Sequence, residues 1–266
     1  AAAHAADRIR GSEMRKHYLF QNGKILLADN GKTVPFHLPE ALTDYVINSG
    51  FVDKEDSEGD LWTELSDQAT LPPNLAPFER RTAWLTLGEQ NFFRVGKAFH
   101  IMNWQRTHRF CGRCGSEMTF DSREFAMSCP SCGEQYFPVI CPAVIVAVVK
   151  EGHLLMGHGI NFPSGRYSVL AGFTEPGENL EGSVMREIYE ESHIHIKNIN
   201  YFGSQPWPFP HSLMVGFTAE WESGEIVPEL SEVTDVRWFA PKEIPDYYRG
   251  ISISARLIED FIRKYS

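Results

Sequence analysis

Apolar and polar positions predict mainly β structure in the first part of the chain, then a helix. His17 to Phe20, a turn signal at Asn22-Gly23 and Lys24 to Leu27 read as a hairpin. Leu61 to Leu65 and Ala83 to Leu85 are expected as further strands. A polar, acidic loop from Asp53 to Asp60 and a connection at Phe78 to Arg81 lie between the apolar stretches. A helix follows over Glu89 to Trp104, with apolar Phe92, Phe93, Val95, Phe99, Ile101 and Met102. Further on, AVIVAVV (Ala143 to Val149) is apolar without a break, as in a strand buried on both faces. Strands are predicted at His153 to His158, Ser168 to Phe173, near Tyr201, Ser212 to Trp221 and Val236 to Phe239. Helices are predicted at about Leu180 to Ser192, with Asn179 as N-cap, and Ser252 to Tyr265. This order suits a sheet sandwiched between helices.

The first of those two helices carries candidate chemistry. Glu187, Glu190 and Glu191 share one face, and three carboxylates within a turn repel one another unless something cationic sits among them. All-oxygen ligation suits Mg²⁺ or Mn²⁺. A solvated acidic face is the bland alternative for such a cluster taken alone. The segment before the helix favours the metal: Gly172, Pro176 and Gly177 make a tight loop, and Glu178 follows it.

A second cluster lies upstream. Cys111 and Cys114 are two residues apart, as are Cys129 and Cys132, each pair in a Gly- or Pro-containing knuckle (CGRCG, CPSCG). Two such pairs place four thiolates within tetrahedral reach of one Zn²⁺, a structural site because no ligand position stays open. Two disulfides are the alternative; no signal peptide is visible and Cys141 is the one other cysteine, which favours zinc. Cys141 reads as a buried apolar residue. Arg106, Arg109, Arg113 and Arg123 make a nucleic-acid-binding ribbon the rival from another class, although Glu117, Asp121 and Glu124 partly cancel their charge. Arg80 and Arg81 read as surface residues.

Composition adds bounds. With 42% hydrophobic and 23% charged residues the chain is of globular type, and its formal charge of −10 argues against nonspecific binding to nucleic acid or anionic membrane. No apolar run is long enough to span a membrane, and a cytoplasmic location is expected. The opening AAAHAADRIRGS reads as a cloning remnant.

From Gly172 the sequence GFTEPGENLEGSVMREIYEESHI resembles the Nudix box, the signature of hydrolases that cut a nucleoside diphosphate linked to another group. One position departs, His193 standing where the family has Gly; His is among the residues that tolerate the left-handed backbone expected there. Beyond the box, SQPWPFPHS places Pro206, Pro208 and Pro210 on alternate positions around Trp207 and Phe209, predicting a rigid extended ribbon. Its aromatics either hold a flat base or pack in the core or a subunit interface. Together with the four-cysteine ribbon, this stretch is similar to the NADH pyrophosphatase branch of the Nudix family, over roughly residues 105 to 260.

The resemblance implies an α/β/α Nudix sandwich preceded by a zinc ribbon and a mainly β N-terminal domain: an α+β or α/β chain divided at 1–13 (remnant), 14–104, 105–140 and 141–266. It implies cleavage of NAD(H) to nicotinamide mononucleotide and AMP, with NAD-capped RNA as a further substrate, in a homodimer. ADP-ribose and diadenosine polyphosphates are alternative substrates. Metal positions fall on Glu187, Glu190, Glu191, Glu232 and the carbonyl of Ala171. Arg186 orients the carboxylates, and Glu191 doubles as a candidate general base. Substrate positions fall on Glu124, Phe137, Phe173, Gln205, Trp207, Phe209, Ser212 and Ser254. Phe137 stands where the family has a tyrosine, and Ser254 is expected to act through its backbone. Nicotinamide is then a specificity handle, consistent with the lack of a Gly-x-Gly-x-x-Gly sequence.

Overall fold

Asn22 and Gly23 both take positive φ, 51° and 73°, which lets strands β1 (His17–Gln21) and β2 (Lys24–Leu27) pair antiparallel across a two-residue turn. The computed structural model describes residues 15–53 and 59–266 and divides into two compact units between Val139 and Ile140. The proposed remnant and residues 54–58 of the acidic loop lie outside the described residues.

In the first unit β1 also pairs in parallel with β4 (Leu61–Leu65). Strands β3 (Val46–Phe51) and β5 (Ala76–Phe78) complete a sheet ordered β3-β4-β1-β2-β5. Strand β3 was not expected, because its VINSGF sequence is largely exposed and carries a polar Asn48-Ser49-Gly50 centre. Gly50 is needed there: a Cβ would lie 2.9 Å from the Trp62 ring. Helix α1 (Trp84–Thr107) packs Val95, Ala98, Phe99 and Met102 on one face of the sheet. The strand expected at Ala83 to Leu85 is instead the start of this helix. The amides of Thr86 and Leu87 donate to the Ala83 carbonyl, and the first turn is then broken at Gly88, where φ is 74°. A short apolar run has no period that separates strand from helix.

Helix α1 runs through the expected border at 104–105, and Trp104 packs with Cys111, Met118, Met127 and Cys129. A small sheet of β6 (Thr119–Asp121), β7 (Ala126–Ser128) and β8 (Gln135–Tyr136) completes the ribbon.

The second unit is built on β9 (Cys141–Lys150). Its side chains alternate between two cores, as strand geometry requires. Val144, Val146 and Val148 face α2 (Leu180–Ser192), while Ile145 and Ala147 face α3 (Ile253–Tyr265). Around it lie β10 (His153–Gly159), β11 (Leu170–Phe173), β12 (His195–Trp207), β13 (Ser212–Ser223) and β14 (Val233–Phe239). The sheet order is β12-β13-β9-β10-β14, with β13 parallel and β11 antiparallel to β9. This is the α/β/α sandwich expected from the sequence. Cys141 is half-buried at the start of β9, not fully buried, and its amide donates to His211 O at 3.0 Å.

The segment from Gln205 to Ser212 keeps the expected extended backbone as far as Trp207 and departs from it beyond. Pro206 and Trp207 belong to β12 and pair with Leu213 and Ser212, after which the chain turns through a cis Phe209-Pro210 bond into β13. Proline is tolerated in both edge strands and turns, and antiparallel pairing of β12 with β13 places the turn after Trp207.

Candidate active site

Helix α2 begins and ends as its sequence dictates. The Asn179 side chain accepts from Gly182 N at 2.8 Å, and His193 closes the helix in the left-handed region at φ 58°, ψ 22°. Val184 and Ile188 are buried against β9, which turns Glu187 and Glu191 toward β11 at the edge of the core. Both carboxyls are buried, whereas Glu190 is exposed.

Arg186 is the hub of the cluster. Its Nε and Nη2 grip Glu178 at 2.6 and 2.9 Å, Nη1 donates to Glu187 and Glu190 at 2.8 Å each, and Nη2 also donates to Phe173 O at 2.9 Å. Such a bidentate fork is a strong pairing. Glu178 also accepts from Glu175 N and the Ser183 hydroxyl, and the Arg186 guanidinium, aided by these two, holds its carboxyl down at about 2. The cation that crowded carboxylates require is therefore supplied in part by the chain itself.

It does not reach Glu191. Glu191 Oε2 is buried with no hydrogen-bond partner, and the chain's contribution to this carboxyl is the Ala171 N–H. Burial, with the charges of Glu187 and Glu232 nearby, pushes its carboxyl up to about 8. Burial likewise raises Glu187, against the pull of Arg186. An unpaired buried carboxylate is costly, and a divalent cation bound by oxygen ligands is the group that would relieve it. The residues present thus fit such an ion.

Gly172 explains how Glu187 approaches the sheet. A Cβ at this position would fall 1.9 Å from the Glu187 carboxylate, so the strand accepts the side chain only because it carries none there. Gly172, Glu178 and Ser183 have site roles that motif reading did not assign. The signal was present for Glu178, at a fixed spacing from Arg186.

The other expected residues are placed as follows. Phe173 ends β11 with 57% of its surface exposed. Trp207 and Phe209 meet edge to face at 5.3 Å and are half-buried. Ser254 lies in the first turn of α3, its hydroxyl 2.8 Å from that of Ser168. Gln205 is buried with both ends of its amide committed, Nε2 donating to Ile251 O at 2.7 Å and Oε1 accepting from Ile253 N at 2.8 Å. Ser212 is buried beside Cys141. Exposed Glu124 and Phe137 belong to the first unit.

In the ribbon, the sulfurs of Cys111, Cys114, Cys129 and Cys132 all lie within 4.8 Å of one another, with 3.6 Å between Cys111 and Cys132 and 3.5 Å between Cys114 and Cys129. Those separations suit a tetrahedral Zn²⁺ with metal–sulfur bonds of about 2.3 Å. All four ribbon arginines face acids: Arg106 with Glu64, Arg109 with Glu117 and Arg113 with Glu134 at 3.5 Å, and Arg123 with Asp121 at 3.7 Å. That pairing weakens the nucleic-acid reading of the ribbon. No helix among the described residues is long and apolar enough to cross a membrane.

Comparison with known proteins agrees with this geometry. Residues 140–261 match the NUDIX domain, and residues 106–137 match the NADH pyrophosphatase zinc ribbon domain. A protein named NAD-capped RNA hydrolase NudC from one Pseudomonas fluorescens strain is 36% identical over 240 residues, covering 90% of this chain and 86% of that relative. A second one from another Pseudomonas fluorescens strain is 43% identical over 183 residues, 68% of this chain and 66% of the relative. The Pseudomonas syringae protein of the same name is 45% identical over 175 residues, 66% of this chain and 63% of its own length. In the last two the aligned part is thus just under two thirds of the relative. Among solved structures, a NUDIX hydrolase from Nitrosomonas europaea superimposes with a TM-score of 0.50 at 23% identity, over 59% of this chain and 91% of that one, which supports the fold. The chain therefore belongs to the Nudix hydrolase family, in the branch that carries an NADH pyrophosphatase zinc ribbon.

Proposed function

We propose that this chain hydrolyses the diphosphate bond of NAD(H), giving nicotinamide mononucleotide, reduced or oxidised, and AMP, and that it removes NAD caps from RNA by the same reaction. The observation that carries the hydrolytic part is buried Glu191, its Oε2 unpartnered, beside Glu187 and Glu232 in a carboxylate cluster that Arg186 neutralises only in part. The name of these relatives, NAD-capped RNA hydrolase NudC, supports the substrate. About two or three Mg²⁺ or Mn²⁺ ions at Glu187, Glu190, Glu191, Glu232 and the Ala171 carbonyl would neutralise the diphosphate and lower the pKa of an attacking water.

The chain's own residues then have separate tasks. Arg186 is a positioning residue: its bonds to Glu178, Glu187, Glu190 and Phe173 O fix the helix face against the end of β11. Glu191 is both ligand and candidate proton acceptor. Phe173, whose carbonyl accepts from Arg186 Nη2 at 2.9 Å, presents an exposed ring that stacks on the nicotinamide. Trp207 and Phe209 contribute aromatic surface at the hairpin end, with Glu124, Phe137 and Ser254 as further substrate contacts. Gln205 and Ser212 complete the substrate-side set, Gln205 also tying β12 to the residues that open α3. Zinc in the ribbon is structural, and the 14–104, 105–140 and 141–266 segments form a homodimeric cytoplasmic enzyme.

Incubation with NADH and Mn²⁺ or Mg²⁺, with chromatographic identification of products, tests the reaction; the expected products are reduced nicotinamide mononucleotide and AMP. Phe173→Ala should lower kcat/KM for NADH about tenfold to a hundredfold, the equivalent of losing one stacked base. Its kcat/KM for ADP-ribose, which lacks the nicotinamide, should stay near wild type. Equal losses on both substrates with a lowered Tm would make Phe173 a packing residue.

A further inference from the structure

Position 193 departs from the box that this chain otherwise follows. Its backbone lies at φ 58°, a region that favours glycine, so a histidine there carries a conformational cost that its side chain must offset. The side chain makes a specific contact. His193 Nδ1 donates to Val227 O at 3.0 Å, and its ring sits 5.2 Å from that of Tyr189, which in turn stacks on His195 at 5.1 Å.

Val227 belongs to the segment 224–232, which has no regular structure of its own and ends at Glu232. The end of helix α2 holds this segment in two other places: Val227 N donates to Ser192 O at 3.0 Å, and Glu229 N donates to Glu191 O at 3.3 Å. These bonds satisfy carbonyls that a helix end leaves open. Gly224 passes so close to His193 that a Cβ there would lie 2.8 Å from its carbonyl oxygen. With the His193 bond, both polar groups of Val227 are tied to the helix. The segment then continues through Glu232 N to Glu229 O at 3.0 Å, and Glu232 O accepts from Ile160 N at 3.0 Å.

We infer that His193 is a positioning residue that clasps the 224–232 segment to the end of α2 and thereby sets Glu232 opposite Glu191. The inference rests on the proposed seating of a divalent cation between these carboxylates. A glycine at 193 leaves the helix cap intact and removes the clasp, so cation affinity depends on the side chain at a position that does not itself touch the ion.

Two measurements on the full chain test this, with zinc retained in the ribbon. Amide hydrogen exchange at Val227 and Glu229 in the absence of added Mn²⁺ reports the clasp, and calorimetric titration with Mn²⁺ alone reports its consequence. His193→Gly should speed exchange at both amides and weaken Mn²⁺ binding, each by about threefold to tenfold, the range expected for one hydrogen bond. His193→Asn should restore both, because its amide nitrogen is as many bonds from Cα as Nδ1 and asparagine tolerates the left-handed region. Unchanged exchange in His193→Gly overturns the clasp. Faster exchange with unchanged Mn²⁺ affinity overturns its link to the cation. If Glu191→Gln binds Mn²⁺ as wild type does, the cation seat itself is wrong, and the exchange data still judge the clasp.

Discussion

Glu191 and Arg186 show how residues in one motif can carry opposite electrostatic duties. Arg186 spends its donors on Glu178, Glu187, Glu190 and a backbone carbonyl, whereas Glu191 is buried among like charges with Oε2 unpartnered. The metal-free protein therefore bears a cost at Glu191 with a definite pH dependence. Its folded pKa of about 8 lies above the ordinary value of 4.5, so the penalty is absent below pH 4.5, grows as pH rises and is complete above about pH 8. Glu191→Gln should accordingly stabilise the metal-free protein at pH 7, by on the order of 2–3 kcal/mol, and should lose that advantage near pH 4. The same variant should lose Mn²⁺ binding and turnover. Urea unfolding at the two pH values, with chelator present, checks the sign; a destabilised variant at pH 7 would show that Glu191 Oε2 has a partner.

At the scale of elements, the site depends on how closely α2 and β11 approach. That approach is possible because Gly172 lacks a side chain where the Glu187 carboxylate lies. Gly172→Ala should drive Glu187 out of position while the rest of β11, paired with β9, stays in register. Because a shift near 1 Å in a catalytic group can cost about a hundredfold, turnover is expected to fall by roughly that factor with far-ultraviolet circular dichroism unchanged. A fully active Gly172→Ala would mean that Glu187 is free to move. Gln205 illustrates a different element-scale role: it joins β12 to the N-terminus of α3 through both ends of its amide. Its place between Ser204 and Pro206 gave no hint of that, since Ile251 and Ile253 are far away in sequence.

For the whole molecule, both units are built on apolar cores, but the ribbon within the first has only a small core in which two of the cysteines are themselves buried. Zinc binding therefore supplies folding free energy there. Metal analysis should find one zinc per chain, and Cys111→Ser should release it and lower the Tm of the first unit's transition, with the second unit's transition little changed. Retention of both Tm and fold without zinc would reduce the cluster to an accidental grouping of thiols.

Features that rest on short-range chemistry are legible in the residues alone. The Asn22-Gly23 turn, the caps of α2 at Asn179 and His193, the bounds of that helix and the four-cysteine knuckles all follow from residues within a few positions of one another. The unbroken apolar run of β9 likewise announced a strand covered on both sides. Long-range contacts set which carboxylates Arg186 grips and which keeps an unpartnered oxygen, the room that Gly172 leaves for Glu187, and the point after Trp207 at which the proline segment leaves the strand and turns. The reason is physical. Periodicity and spacing report which face a side chain lies on, but the partner it meets there depends on the pairing of β9 with β11 and β13 and on the packing of α2 against them, contacts between residues that the chain order keeps apart.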